Sequence, residues 1–143
     1  MRRKARELAL RMLYQMETSG EDPEVALVGY CEAFPYQKEV VEYARGLLSG
    51  VRRNVVTLDS LIEEACKNWR LDRVTLVDKA ILRLGVYELL FSEDVPPKVA
   101  IDEAVELSKK YGDGDSYRFV NGILDRVFRD HYLKKGETVN EGR

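Results

Sequence analysis

Apolar residues recur at spacings of three and four along almost the whole of this 143-residue chain, the period of an amphipathic α-helix. A first stripe runs Ala5, Leu8, Ala9, Met12, Leu13, Met16, and Ser19 with Gly20 ends it. A shorter helical segment with Val25, Ala26 and Leu27 follows Pro23, a residue suited to a first helical turn. Next come Val40, Val41, Ala44, Leu47, Leu48 and Val51. Beyond Gly50 and Asn54 lie Val55, Leu58, Leu61, Ile62, Ala65, Cys66 and Trp69. These last two stripes read as two helices or as one bent helix. No segment shows the strict apolar and polar alternation of a half-buried strand, so the pattern predicts an all-α fold of about seven helices.

One predicted helix differs from the rest in being apolar nearly all round. Leu76, Val77, Ala80, Ile81, Leu84, Tyr87 and Phe91 cover one broad side, and Leu82, Val86 and Leu89 cover the other. Such a helix is buried between two layers, so two small helical bundles should share it. Asp72 or Thr75 can cap it. Its polar residues Asp78, Lys79, Arg83 and Glu88 must pair or reach the surface. Pro96 and Pro97 remove backbone donors and force extended geometry before them, so the helix stops near Ser92 and another starts at once. Gly112, in a left-handed conformation, would close that one, with Asp115 or Ser116 capping the next.

On the last helix Val120, Ile123, Leu124 and Val127 share a face, while Arg118, Gly122, Asp125, Arg126 and Arg129 fall opposite at about 100° per residue. Phe119 lies at the seam. An aromatic ring half out of the core and flanked by guanidinium groups suits single-stranded RNA, whose bases stack on rings while cations hold the backbone. The competing reading is that Phe119 is simply core.

Composition sharpens this picture through the distribution of charge rather than its sum. The net charge is only −2, with 45% hydrophobic and 34% charged residues, as in an ordinary soluble domain without disulfides or metal. Yet the first 13 residues hold Arg2, Arg3, Lys4, Arg6 and Arg11 against Glu7 alone, and the charged residues of 21–42 are acidic except Lys38. Arginines at a helix N-terminus oppose the macrodipole, at a cost of a few tenths of a kcal/mol each. If this start meets the last helix, the two make one positive ledge for phosphate on an acidic body.

Catalytic groupings are not convincing. The single histidine, His131, four residues after Val127 near the end of the last helix, reads as packing or interacting with the helix C-terminus rather than taking protons. GDGDS at 112–116 lacks the spacing and closing glutamate of a calcium loop, and Cys31 and Cys66 read as reduced thiols. No catalytic residue, metal ligand or cofactor is expected. No apolar run approaches the ~18 residues needed to span a bilayer, and no secretory signal is visible, so the expectation is a cytoplasmic protein that makes no use of membrane. A homodimer that hides the first helix is compatible with Leu10 and Tyr14 lying opposite its core stripe, although exposed residues of that kind are also unremarkable.

Three segments together resemble the NusB family of bacterial transcription antitermination factors. They are VDKAILRLGVYELLFSEDVPPKVAIDEAVELSKKYG from Val77 to Gly112, DSYRFVNGILD from Asp115 to Asp125, and the basic start RRKARELALRMLYQ from Arg2 to Gln15. The central block would also suit the related helical domain fused to RNA cytosine methyltransferases, but this sequence contains no methyltransferase domain. The resemblance implies a single domain over 1–135, in two three-helix subdomains of about 1–70 and 71–135, with 136–143 a disordered tail. It implies a non-catalytic adaptor that pairs with the ribosomal protein NusE and binds single-stranded boxA RNA of ribosomal RNA leader transcripts, within the antitermination complex of RNA polymerase. By the same resemblance, RNA contacts fall on Arg2, Arg3, Lys4, Arg6, Asp115, Arg118 and Phe119, and Asp78 lies near the protein-partner surface. The other readings are a helical protein-interaction scaffold and an accessory domain of an RNA-modifying enzyme.

Overall fold

The computed structural model describes residues 1–67 and 74–141, with side chains as far as Tyr132. Six helices account for the described chain: α1 (Arg2–Ser19), α2 (Pro23–Ala33), α3 (Lys38–Cys66), α4 (Leu76–Phe91), α5 (Pro97–Tyr111) and α6 (Ser116–Glu141). The count falls one short of seven because Gly50 and Asn54 do not interrupt α3. Asn54 Nδ2 instead donates back to the Gly50 carbonyl at 2.8 Å. The absent side chain at Gly50 serves packing: a Cβ there would lie 2.1 Å from the Tyr87 ring of α4. Trp69 and the cap candidate Asp72 lie outside the described residues. Thr75 does cap α4, its Oγ1 accepting from the Asp78 amide at 3.2 Å.

α1, α2 and α3 pack as one group of three, and α4, α5 and α6 as another, while α4 also packs against α1 and α3. The shared helix follows from composition, since α4 is apolar on every side and buries Ala80, Ile81, Leu82, Leu84, Gly85 and Val86 at once. Gly85 lets α6 approach α4 closely, because a Cβ there would press on Leu124 of α6 at 2.8 Å.

Helix ends follow local rules with one departure. Gly20 closes α1 at φ 75°, in the left-handed region where glycine has no Cβ to clash. Asp22 caps α2 by accepting from the Glu24 amide at 2.8 Å, and α4 ends at Phe91 before Ser92. Gly112, expected to be left-handed, is extended (φ −84°, ψ −175°). Its glycine is required by space, since a Cβ would meet the Ser116 side chain at 2.5 Å and the Ser108 carbonyl at 2.7 Å. α6 continues to Glu141, beyond the position where the sequence suggests a tail begins.

Candidate nucleic-acid interface

The four cations that open α1 have different surroundings, because successive helical residues turn by about 100°. Arg6 points inward and is 4% exposed. Its Nε and one terminal nitrogen donate to the two Glu88 carboxylate oxygens at 2.6 and 3.0 Å, and Tyr43 Oη donates to the same carboxylate at 2.6 Å. Burial pulls the Arg6 pKa down, but the Glu88 hydrogen bonds and charge more than offset it and the net shift is upward. Tyr43 is raised by burial first and then by bonding to Glu88. The expectation that Arg6 offers its guanidinium to phosphate therefore does not suit its position, where it joins α1 to α4 inside the protein.

Arg3 lies on the exposed side of α1. Nε and one terminal nitrogen donate to Glu103 of α5 at 3.1 and 2.9 Å, engaging one edge of the guanidinium and leaving the other for an incoming oxygen. Arg2 pairs with Asp94 at 2.5 Å, and its guanidinium carbon sits 4.8 Å from the Tyr43 ring centre. These carboxylates feel the pairing: hydrogen bonds from Arg3 hold Glu103, and from Arg2 hold Asp94, below the ordinary carboxylate range. Lys4 is exposed and borders a groove with Tyr36 and Gln37.

The other candidate residues occupy the first turn of α6, which a buried polar cluster fixes. Ser116 Oγ accepts from the Asp113 amide at 3.0 Å and lies 3.1 Å from both Asp113 Oδ1 and Asp78 Oδ2. Asp78 is itself buried, and that burial raises its pKa, with the Ser116 hydrogen bond acting in the opposite direction. Little of Asp78 is left to meet a partner protein, and its place is at the base of the α6 corner. Asp115 is exposed, and its backbone carbonyl accepts from the amides of Arg118 and Phe119 at 3.2 and 3.3 Å. Arg118 is exposed, with Nε donating to Tyr117 Oη at 2.9 Å. Phe119 is half-buried against the core, so its ring is neither wholly enclosed nor free of the fold.

Ion pairs tie α1 to α5, and α5 packs on α6. Arg3 bonds Glu103 at one level, and one turn along α1 Glu7 accepts from Lys110 at 2.6 Å. Lys109 then reaches α6, with Nζ 5.8 Å from the Tyr117 ring centre. The sequence marked Glu88 only as a residue that must pair or reach the surface, and did not single out Glu103, Tyr43, Lys109, Lys110 or Tyr117 as neighbours of this surface. The two lysines carried a weak signal, since cations in a last helical turn look like ordinary complements to the macrodipole. Tyr117 stood in plain view beside Arg118. Leu10, considered as an exposed dimer contact, is buried, whereas Tyr14 is exposed.

Two groups of three helices around a shared buried helix, with cations displayed along α1, α5 and α6, define the class as an all-helical two-lobed domain. The NusB family model matches residues 3–129, and the chain belongs to that family. The transcription antitermination protein NusB of Anaeromyxobacter sp. (strain Fw109-5) is 50% identical over 127 residues, covering 88% of each chain. Among solved structures, T. maritima NusB superposes with a TM-score of 0.84 at 41% identity, covering 90% of this chain and 91% of that one. A structure of antitermination factors NusB and NusE in complex with double-stranded RNA aligns with a TM-score of 0.82 at 33% identity, covering 90% and 96%.

Proposed function

We propose that this protein is a non-catalytic transcription antitermination factor that acts in the cytoplasm. It pairs with the ribosomal protein NusE and binds boxA RNA of ribosomal RNA leader transcripts as part of the antitermination complex of RNA polymerase. The observation that carries this reading is the half-buried Phe119 beside exposed Arg118, on a helix linked through α5 to the arginines of α1. A ring for a base next to cations for phosphate is how unpaired RNA is gripped. The likeness to a NusB solved with NusE and RNA supports the same ligand classes. In this reading Arg2, Arg3 and Lys4 meet phosphate, Phe119 and Arg118 meet bases, and Asp115 accepts from a base amino group.

The cation supply is modest. Arg2 and Arg3 are each bound to a carboxylate, and the whole chain carries −2. The isolated protein should therefore bind RNA weakly and the pair with NusE tightly. Titration of labelled boxA RNA against the chain, with and without NusE, tests this: cognate RNA should bind more tightly than a scrambled sequence, most clearly in the presence of NusE. Equal affinity for both RNAs in both mixtures would favour the scaffold reading, to which the carboxylate-paired arginines also lend support.

A further inference from the structure

An RNA strand that touches both α1 and the first turn of α6 must cross what lies between them, the last turn of α5. That turn carries Lys109 and Lys110. An open groove between α1 and α5 is bordered by Arg3, Glu7, Glu103, Glu106, Lys109 and Lys110. Lys109 pairs there with Glu106 at 3.5 Å and Lys110 with Glu7 at 2.6 Å, exchangeable surface pairs that a phosphate can replace. Lys109 also faces the Tyr117 ring of α6. Two cations lie near the Tyr117 ring, Lys109 Nζ at 5.8 Å and the Arg118 guanidinium carbon at 5.5 Å from its centre. Residues 117 and 119 are about 200° apart on a helix. Tyr117 and Phe119 thus flank α6 on two sides with Arg118 on the crest between them. A strand leaving the groove reaches Tyr117 first.

Resting on the RNA-binding reading above, we infer that Lys109, Lys110 and Tyr117 form the middle segment of the RNA path, joining two patches that would otherwise be discontinuous. The lysines hold phosphates, as compact cations on long stems do without base preference. Tyr117 provides a second stacking ring, one nucleotide or more before Phe119 along the strand. Helix-end lysines alone would suggest nothing beyond dipole compensation. The ring with two cations near it, one of them the Lys109 that also lines the groove, is what points to a ligand.

The experiment measures affinity of the chain paired with NusE for boxA RNA over a series of salt concentrations. Lys109→Ala with Lys110→Ala should weaken binding by roughly 5- to 30-fold and make the salt slope shallower by about 1.4, two phosphate contacts at about 0.7 each on single-stranded RNA. Tyr117→Ala should cost at least about fivefold, whereas Tyr117→Phe should bind nearly as the parent does, because the ring rather than the hydroxyl stacks. Phe119→Ala is measured alongside. If Phe119→Ala weakens binding but the lysine pair and Tyr117→Ala leave it unchanged, the middle segment is wrong and the RNA reading survives. If all three leave affinity unchanged, both fall. If the lysine variant loses NusE while RNA affinity holds, the turn is a protein-docking surface and the inference is overturned.

Discussion

Arg3 and Arg6 sit three positions apart on one helix, each bonds a carboxylate through two nitrogens, and they are opposite in kind. The Arg6 pair with Glu88 is enclosed, shares Tyr43 and ties α1 to the central helix. The Arg3 pair with Glu103 lies at the rim, where water screens it and one guanidinium edge stays open. A buried pair costs much desolvation and is of little net benefit, but removal of one partner strands a charge in a medium that cannot solvate it. A rim pair contributes little to stability. This run of arginines is thus not one functional unit, since the inner member fixes the platform on which the outer ones are displayed.

The comparison breaks most visibly at the inner pair. Arg6→Ala should destabilise the fold by about 3–5 kcal/mol, and Glu88→Ala by a similar amount, because each leaves an uncompensated buried charge. Chemical denaturation would show this as a lower midpoint. An unchanged midpoint for both variants would mean that the pair is not enclosed. RNA loss in Arg6→Ala would accordingly report unfolding rather than a lost phosphate contact.

At the rim, Phe119→Ala should cost roughly 1–3 kcal/mol in RNA affinity if the ring stacks a base. A variant that unfolds much more readily, yet binds RNA with full affinity once folded, would return Phe119 to the core. Smaller again is Arg3→Ala. It should leave the thermal midpoint nearly unchanged, weaken all RNA sequences about equally, and flatten the salt slope by about 0.7. Loss of affinity for one sequence alone would contradict a phosphate contact.

The smallest effect sharpens the contrast between enclosed and open carboxylates through pH. Burial raises the folded-state pKa of Asp78 above its ordinary 3.8, so the folded chain binds this proton more tightly than the unfolded chain does. Its contribution to stability is therefore greatest below 3.8 and is lost as pH rises through the raised value. Glu103 behaves oppositely: its Arg3 hydrogen bond lowers its pKa below 4.5, and its contribution is lost as pH falls. Asp78→Asn should remove the Asp78 component from urea midpoints measured across the mildly acidic range. An identical pH profile for parent and variant would show that Asp78 does not titrate in this environment.

Much of the fold was legible because helical periodicity records burial directly. The stripes of α1 and α4 and the stop at Ser92 follow from residues a few positions apart. The arrangement of Phe119 at a seam also followed, since angle around a helix is a local quantity. At Gly50 the sequence left one helix or two open because its partner, Tyr87, lies 37 positions away in sequence, and only the packing of α3 on α4 shows why a side chain is excluded there. Gly112 misled, its need being for space beside Ser116 rather than for a left-handed turn.

By itself the sequence determined an all-helical chain, several of its helix limits, a central helix that had to be covered on nearly every side, and the polar residues on that helix that had to find partners. Tertiary structure decided which partners those were: Arg6 with Tyr43 for Glu88, Asp59 and Glu17 for Arg83, Ser116 for Asp78. It also decided that the two cationic ends are linked across α5. The physical reason is range. Periodicity fixes which side of a helix faces inward through contacts three or four residues apart, but hydrogen bonds and ion pairs spanning 24 to 103 residues form only where packing brings the helices together.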